Sequence, residues 1–292
     1  MTTAPSFTGA AMVAGVAGWP VAHSLSPLLH GAWIAAAGLD AVYAPFAIKP
    51  DDALDAFRAI GRLGLKGLNV TVPHKQVALE AADHVRPAAE RVGAANLLSV
   101  TADGALVADN TDVQGFLHGL TRAEVAADGP AAILGAGGAA RAVIVGLADA
   151  GCAEIRLVNR SADKAQALAE LAAQLGVRAQ VFSWDDAERA LDDALLLVNA
   201  TSLGMAGAAP LSLVLHGLRD DAAVYDLVYT PRETALLESA RRRGLVAIEG
   251  LDMLIGQARP SFETFFGAPP PDDVDVRALL NGALEIRRTD RA

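Results

Sequence analysis

The sequence predicts an α/β fold with two domains, and three observations support this prediction. The chain has 292 residues, which is long for one ordinary domain and suits two. Short apolar runs alternate with stretches of helical spacing, an order typical of a mostly parallel sheet with helices on both faces. A glycine-rich turn begins at Gly135, directly after a short apolar run.

Composition and charge narrow the class of protein. Hydrophobic residues make up 52% of the chain and charged residues 20%, so the chain can bury a large core. The formal net charge of −10 is a poor match to nucleic acid, whereas a small anion can still bind in a locally basic pocket. We therefore expect a small-molecule partner and no nucleic acid.

Cysteine usage and the apolar stretches bear on metals and location. Cys152 is the single cysteine, which excludes an internal disulfide and a thiolate metal cluster, and we expect it to be buried. Residues 1–12 lack the features of a signal peptide, and no apolar stretch is long enough to span a bilayer. These observations favour a cytoplasmic protein without a membrane partner or a metal.

Strands and helices alternate through the first part of the chain. The expected elements are strands at residues 12–18, 42–48 and 67–72 and helices at residues 26–38 and 51–61. Ser26 stands before Pro27 and can cap the first helix. Pro73 ends the third strand because it cannot continue the hydrogen-bonded ladder.

The second part of the chain has the rhythm of a Rossmann-type dinucleotide-binding domain. The expected elements are strands at residues 131–134, 155–158, 195–198 and 223–227 and helices at residues 139–150 and 163–175. A helical tail follows from residue 251, with a proline-rich break at 269–271 and a last helix at 274–287. We expect the tail to fold back onto the first domain. The first domain is then 1–119 with 253–292, and the second is 120–252.

The glycine-rich turn matches the dinucleotide fingerprint G-x-G-x-x-[G/A]. Gly135, Gly137 and Ala140 occupy the three positions between a strand and a helix, which is the context that gives the motif its meaning. The expected cofactor-binding residues of this turn are Gly135, Ala136, Gly137, Gly138 and Ala139. Backbone N–H groups at the start of the helix face the pyrophosphate in such turns. The alternative is a glycine-rich loop in an alanine-rich chain.

The tip of the second Rossmann strand predicts which dinucleotide binds. Asn159, Arg160 and Ser161 follow the strand, where NAD enzymes place an acidic residue. Arg160 offers a planar charged group that suits a 2′-phosphate, and Lys164 lies one helical turn beyond. NADP is therefore favoured over NAD, although the acidic Asp163 is close. The alternative is that Arg160 is only a surface charge.

Polar groups in the first domain form four clusters. Ser24 and Ser26 lie two residues apart before a helix and can bind one anion, although Ser26 can also act only as a cap. Asn69 and Thr71 share one face of an extended strand, and Lys75 follows as a candidate acid/base or a plain surface lysine.

The remaining clusters are residues 93–96 and 109–112. Asp109 or Asp112 can pair with Lys75 to act on a carbonyl group. His74 is a weaker candidate because no acidic residue close in sequence orients it.

Together with residues 199–202, 226–229, 250–254 and Gln257, these clusters resemble the shikimate dehydrogenase family over about residues 13–260. The resemblance implies that Lys75 and Asp112 are the catalytic pair. The implied substrate-binding residues are Ser24, Ser26, Asn69, Thr71, Asn96, Tyr229 and Gln257. The implied cofactor contacts outside the glycine-rich turn are Asn159, Arg160, Ser161, Lys164, Thr201, Gly250 and Met253.

The implied activity is NADP-dependent reversible reduction of 3-dehydroshikimate to shikimate in aromatic amino-acid biosynthesis. The implied fold has a substrate domain and an NADP domain, with the active site in the cleft between them. The resemblance also implies a monomer or a homodimer. Leu97, Val113 and Asp252 depart from the family pattern, and the first two bear on substrate specificity. Two alternatives stay open. One is a quinate/shikimate dehydrogenase of broader substrate or cofactor use. The other is a non-catalytic ligand sensor, which should have lost Lys75 or Asp112.

Overall fold

The computed structural model describes residues 7–289. It divides into two compact units. Unit 1 consists of the described residues up to Thr111 together with Gln257–Gly282. Unit 2 consists of Asp112–Gly256 together with the described residues from Ala283 onward. The domain limits expected from the sequence, 119/120 and 252/253, stay a prediction.

Twelve strands lie within the described part of the chain, six in each of two sheets. In chain order they are β1 (Met12–Gly18), β2 (Ala41–Ala47), β3 (Gly67–Val70), β4 (His84–Val85), β5 (Leu97–Val100), β6 (Leu106–Asp109), β7 (Ala131–Leu134), β8 (Glu154–Val158), β9 (Arg178–Phe182), β10 (Leu196–Asn199), β11 (Ala223–Asp226) and β12 (Val246–Glu249).

Helices connect and cover these strands. In chain order they are α1 (Ser26–Ala36), α2 (Ala53–Ala59), α3 (Lys75–Ala81), α4 (Pro87–Val92), α5 (Asp112–Arg122), α6 (Gly138–Asp149), α7 (Ala162–Gln174), α8 (Ala235–Arg242), α9 (Gly250–Phe266) and α10 (Val276–Thr289). No helix in residues 7–289 is both long and apolar enough to cross a membrane.

The sheet of unit 1 is mixed. Its strand order is β2-β1-β3-β5-β6-β4. β1 runs parallel to β2 and β3, whereas β5 runs antiparallel to both β3 and β6. The carboxyl end of β3 therefore meets the amino end of β5 and the carboxyl end of β6 at one edge of the sheet.

Unit 1 buries a different core on each side. Phe57 of α2 packs with Leu68 and Leu98 of the sheet in an apolar cluster. A separate aromatic cluster joins α1, β2 and α9, where the Trp33 and Phe262 rings meet edge to face with centroids 5.5 Å apart. Both rings are fully buried, so this cluster fixes the position of α9 within unit 1.

The sheet of unit 2 is parallel throughout and has the order β12-β11-β10-β7-β8-β9. Counted within the unit this is 3-2-1-4-5-6 read from β9, the order of a Rossmann-type domain. Ile133 belongs to the core on one face and Leu134 to the core on the other, because successive strand residues point to opposite faces. Sequence order reverses between β7 and β10, where such sheets place their ligands.

Helix ends follow local chemistry, with one correction. α1 begins at Ser26 with Pro27 in its first turn, but the N-cap position is Leu25 and no side chain caps it. The expected capping role of Ser26 is therefore wrong. The Ser24 hydroxyl instead accepts a hydrogen bond from the Ser26 backbone N–H at 3.2 Å. α8 has a side-chain cap, because Thr234 accepts from the Leu237 N–H at 3.3 Å.

Candidate active site

A buried polar cluster lies at one edge of the sheet of unit 1. Its members come from β3, from the loop before β5, from the residues after β6 and from α9. Asn96 donates from Nδ2 to the Thr111 hydroxyl at 2.9 Å and accepts from the Thr111 N–H at 2.7 Å. Gln257 Oε1 lies 3.5 Å from both Asn96 Nδ2 and Thr111 Oγ1. Two predicted substrate residues, Asn96 and Gln257, therefore lie together.

Asn69 is the centre of this cluster and is almost fully committed to protein contacts. Its Nδ2 donates to the Ser261 hydroxyl at 2.8 Å and to the Asn96 carbonyl at 3.2 Å, and its Oδ1 accepts from Tyr43 at 2.7 Å. Both amide hydrogens are therefore used inside the protein. The direct substrate contact expected for Asn69 stays a prediction. In the structure the Asn69 side chain connects β3 to β2 and to α9.

Tyr43 joins the cluster to the predicted carboxylate site. Its hydroxyl donates to Oδ1 of Asn69 at 2.7 Å and lies close to Ser26, and its ring stacks on His30 with centroids 4.0 Å apart. Burial raises the pKa of the Tyr43 phenol well above its usual value, while the hydrogen bond with Ser26 opposes this. The phenol therefore stays protonated and donates to Asn69.

Thr71 follows β3 and has a hydroxyl available for a ligand. The residue is half-buried, and its methyl group packs against Gly18. Within residues 7–289 the Thr71 hydroxyl makes no hydrogen bond, whereas the backbone of Thr71 is held by Ala17 and His74. A fixed backbone with an unused hydroxyl suits a substrate-binding residue.

Lys75 is the first residue of α3 and is half-buried. Its backbone carbonyl accepts from the Ala95 N–H at 2.8 Å, next to Asn96 of the polar cluster. The neighbouring His74 is buried and donates from Nε2 to the Ile48 carbonyl at 2.8 Å. His74 therefore fixes the loop before α3, in keeping with the preference for Lys75 as the acid/base.

Asp112 opens α5 in unit 2 and is 5% exposed. It follows Thr111 directly in the chain, and Thr111 belongs to the polar cluster of unit 1. A carboxylate in the first turn is also stabilised by the helix dipole. The pairing of Asp112 with Lys75 stays a prediction.

In unit 2 the glycine-rich turn joins β7 to α6. Gly135 has φ +100°, and a Cβ there would lie 2.8 Å from Cγ2 of Thr201. Gly137 occupies the N-cap position of α6 in extended conformation, and a Cβ there would meet nothing within 4 Å. Gly135 is required by the turn itself, whereas the space above Gly137 is open to a pyrophosphate.

The tip of β8 offers cations for a phosphate. Asn159 donates from Nδ2 to the Ser161 carbonyl at 2.9 Å and shapes the turn before α7. Arg160 and Lys164 are exposed, and neither has an acidic partner within residues 7–289. The nearby Asp163 forms no ion pair with them. Two unpaired cations fit the 2′-phosphate of NADP.

Thr201 and Gly250 lie at the carboxyl ends of two further strands of this sheet. Thr201 is held by Asn199, whose Oδ1 accepts from the Thr201 N–H at 3.0 Å and from its hydroxyl at 2.7 Å. A Cβ at Gly250 would lie 2.5 Å from the Leu227 carbonyl oxygen, so only glycine fits there. Met253 is 8% exposed and packs in the core of unit 2.

Asp252 has a structural role that its position in the sequence did not reveal. It is 4% exposed in the first turn of α9 and accepts from Nη1 of Arg122 at 3.0 Å. Arg122 is the last residue of α5, so this ion pair joins two helix ends within unit 2. The helix dipoles favour both charges, because Asp252 lies at the amino end of α9 and Arg122 at the carboxyl end of α5.

Three family profiles match the chain. Residues 16–98 match the profile described as the shikimate dehydrogenase substrate binding domain. Residues 120–205 match shikimate / quinate 5-dehydrogenase, and residues 250–280 match the shikimate 5'-dehydrogenase C-terminal domain.

Relatives match along nearly the whole chain. A protein of Rhodospirillum rubrum named shikimate dehydrogenase (NADP(+)) is 50% identical over 279 residues, which cover 94% of this chain and 99% of the relative. The chain belongs to the shikimate dehydrogenase family. The expected family and the expected α/β fold with a Rossmann-type sheet are therefore confirmed.

Solved structures of the family share this fold. The shikimate 5-dehydrogenase of Listeria monocytogenes, crystallised with shikimate and NAD, has a TM-score of 0.85 at 30% identity and covers 95% of this chain and 99% of its own. The shikimate 5-dehydrogenase of Thermus thermophilus, crystallised with NADP(H) and shikimate, has a TM-score of 0.78 at 36% identity and covers 89% and 95%.

Three residues of the buried cluster were missed from the sequence as site residues: Tyr43, Thr111 and Ser261. Thr111 stood inside a recognised polar cluster but had no role. Ser261 lies four residues after Gln257 and therefore on the same face of α9, which is the signal that helical periodicity offered. Tyr43 lies in a strand of ordinary apolar pattern, and nothing local distinguishes it from a core aromatic residue.

Proposed function

We propose that this chain is an NADP-dependent shikimate dehydrogenase. It oxidises shikimate and reduces NADP⁺, which gives 3-dehydroshikimate, NADPH and a proton, and it also catalyses the reverse reaction. The observation that carries the proposal is the polar edge of unit 1. There the unused Thr71 hydroxyl, the Asn96 and Gln257 amides and Lys75 belong to neighbouring segments. Such a set of groups suits a small ring that carries several hydroxyls and one ketone.

The residues divide the work of the proposed reaction. Bound NADP(H) supplies or accepts the hydride. Lys75 donates a proton to the ketone oxygen in reduction and removes it in oxidation, and Asp112 orients the Lys75 ammonium. Ser24 and Ser26 bind the substrate carboxylate with Tyr229, while Thr71, Asn96 and Gln257 hold the ring hydroxyls.

NADP is favoured because Arg160 and Lys164, at the tip of β8, have no acidic partner in the part of the chain that the structure describes. The glycine-rich turn and Thr201 form the rest of the proposed cofactor site. The Listeria monocytogenes relative was crystallised with NAD, so the preference of this chain is a property to be measured.

Initial rates with shikimate or quinate, each with NADP⁺ or NAD⁺, test the proposal. We expect the highest kcat/KM for shikimate with NADP⁺. A higher value for quinate would favour the broader dehydrogenase, and no reduction of either cofactor would favour the ligand sensor. Cytoplasmic location and a monomeric or dimeric state stay predictions, which cell fractionation and light scattering test.

A further inference from the structure

Asp226 is a buried carboxylate that the proposed function does not use. It is the last residue of β11 and is fully buried. A carboxylate leaves water at a considerable cost unless hydrogen bonds replace the lost hydration. An apolar residue of similar size would fill the space without that cost, so the contacts of Asp226 must account for its presence.

Three donors from three segments satisfy this carboxylate. Oδ1 accepts from Nδ2 of Asn199 at 2.8 Å and from the Val228 N–H at 3.1 Å. Oδ2 accepts from the Thr234 hydroxyl at 2.6 Å. Burial raises the pKa of Asp226, and the Thr234, Val228 and Asn199 hydrogen bonds oppose that rise.

The Asn199 contact leads to the proposed cofactor site. Nδ2 of Asn199 donates to Asp226 and also, at 3.2 Å, to the Leu203 carbonyl, so its Oδ1 faces Thr201 and accepts both the N–H and the hydroxyl of that residue. The methyl group of Thr201 in turn lies against Gly135, the first glycine of the fingerprint. The orientation of the Asn199 amide therefore decides where Thr201 stands beside the turn.

The Val228 contact leads to the proposed carboxylate-binding residue. Val228 directly precedes Tyr229, which is half-buried. The backbone of Leu227 and Val228 also lies close to Gly250, where no Cβ could fit. One carboxylate thus holds the segments at the ends of the neighbouring strands β10 and β11, and the second of these segments lies against Gly250 at the end of β12.

We propose that Asp226 is a positioning residue that holds Thr201 for the cofactor and Tyr229 for the substrate carboxylate. The inference rests on the proposed function for the identity of the two ligands. It predicts that NADPH affinity and shikimate KM depend on the acceptor geometry at residue 226, beyond any effect on folding.

Asp226→Ala and Asp226→Asn test the proposal as a pair. The asparagine carbonyl can accept from Asn199 and Val228, so the two contacts that lead to Thr201 and Tyr229 survive, whereas the Thr234 bond is replaced by one in which the amide donates to the Thr234 oxygen. We expect Asp226→Asn to stay within about threefold of wild type in both constants. We expect Asp226→Ala to raise the NADPH Kd and the shikimate KM about tenfold or more, because three buried donors lose their acceptor.

Thr234→Val is the matched control. It removes one Asp226 contact and the cap of α8 but leaves Asn199 and Val228 in place. It should lower the melting temperature while the NADPH Kd, measured by fluorescence on folded protein, stays near wild type. A rise in Kd for Thr234→Val as large as that for Asp226→Ala would reduce Asp226 to a structural residue.

Two further outcomes separate the failures. If the wild type is active and folded Asp226→Ala has an unchanged NADPH Kd and an unchanged shikimate KM, the inference is wrong but the proposed function stands. An inactive wild type overturns the proposed function, whereas the NADPH titration still tests the cofactor branch. If Asp226→Ala does not fold, Asn199→Ala breaks the same link at its other end, and an unchanged NADPH Kd there overturns the inference.

Discussion

Asn69 donates a hydrogen bond of 2.8 Å to the hydroxyl of Ser261, a residue 192 positions later in the chain. Ser261 is fully buried and donates in turn to the Gln257 carbonyl at 3.0 Å. The serine hydroxyl therefore stands between one residue of the sheet and one turn of α9. It gives Asn69 an acceptor that water cannot replace at this depth.

Ser261→Ala should destabilise the protein by about 1–3 kcal/mol, because one Asn69 N–H loses its partner inside the protein. Urea unfolding measures the loss. Thr264→Ala is the control, since Thr264 makes the same kind of bond to a helix carbonyl on α9 but is exposed. Equal losses in the two variants would contradict a special role for the buried hydroxyl.

Gly137→Ala should leave the melting temperature unchanged and weaken NADPH binding. The extended backbone accepts alanine, and the added Cβ meets no protein atom within 4 Å. Gly135→Ala should instead lower stability by about 1 kcal/mol or more, because φ is +100° and Thr201 is in the way. Thermal unfolding and NADPH titration measure both properties in the two variants. If Gly137→Ala bound NADPH with unaltered affinity, the proposal that the pyrophosphate binds at this turn would be wrong.

Arg160→Ala should lower the ratio of NADP⁺ to NAD⁺ efficiency about tenfold to a hundredfold, as expected for the loss of a charged hydrogen bond to phosphate. Steady-state kinetics with both cofactors measure the ratio. Arg242→Ala controls for the change in net charge, since Arg242 is an exposed residue of α8 paired with Glu238. An unaltered ratio in Arg160→Ala would leave Arg160 as a surface charge.

Lys75→Ala should reduce kcat by about 10² to 10⁴, the range that a general acid or base contributes, while shikimate binding changes less. Single-turnover rates and shikimate titration separate the two quantities. Lys66→Ala is the control and should retain full activity, since Lys66 is an exposed lysine directly before β3. A near-normal kcat in Lys75→Ala would exclude Lys75 from proton transfer.

His30 should make stability fall in mild acid. Burial lowers its pKa from 6.5 to about 3, and no group in residues 7–289 hydrogen-bonds its ring nitrogens. Below pH 6.5 the His30 imidazole binds a proton in the unfolded chain but stays neutral in the folded protein. The folded state therefore loses stability as the pH falls from 6.5 towards 3. The stability of His30→Phe relative to wild type should rise by about 2 kcal/mol between about pH 7 and pH 5. Parallel pH profiles in urea unfolding would contradict this.

The sequence was sufficient where patterns are local. Strands β1 and β7 are apolar, β1 ends at Gly18 and β7 is followed by Gly135, and both were predicted with correct limits. β5 and β6 were missed because four-residue strands of mixed polarity leave no clear alternation. β9 was missed because it lies at the sheet edge and is largely exposed. The mixed direction of the first sheet follows from β5, which runs antiparallel to the distant β3 as well as to β6 across a short turn.

The candidate site was predictable as far as motifs reached. Asn96, Gln257 and Thr71 were predicted as site residues because each belongs to a recognised segment, and their role in binding stays a prediction. The commitment of Asn69 to Tyr43 and Ser261 could not be derived, since it depends on which faces of β2 and α9 meet. Motifs identify polar residues, but only packing decides which of them still have hydrogen bonds to offer a ligand.

The order of the units along the chain affects how the protein is made. Residues up to 111 leave the ribosome first, yet Asn69 and Asn96 find Ser261 and Gln257 only after all of 112–256 has been synthesised. Until then the nascent first segment carries amides without their final partners beside an apolar surface that Phe262 will cover. The buried polar cluster of unit 1 is therefore completed last during translation, and a chain truncated before residue 257 lacks part of it.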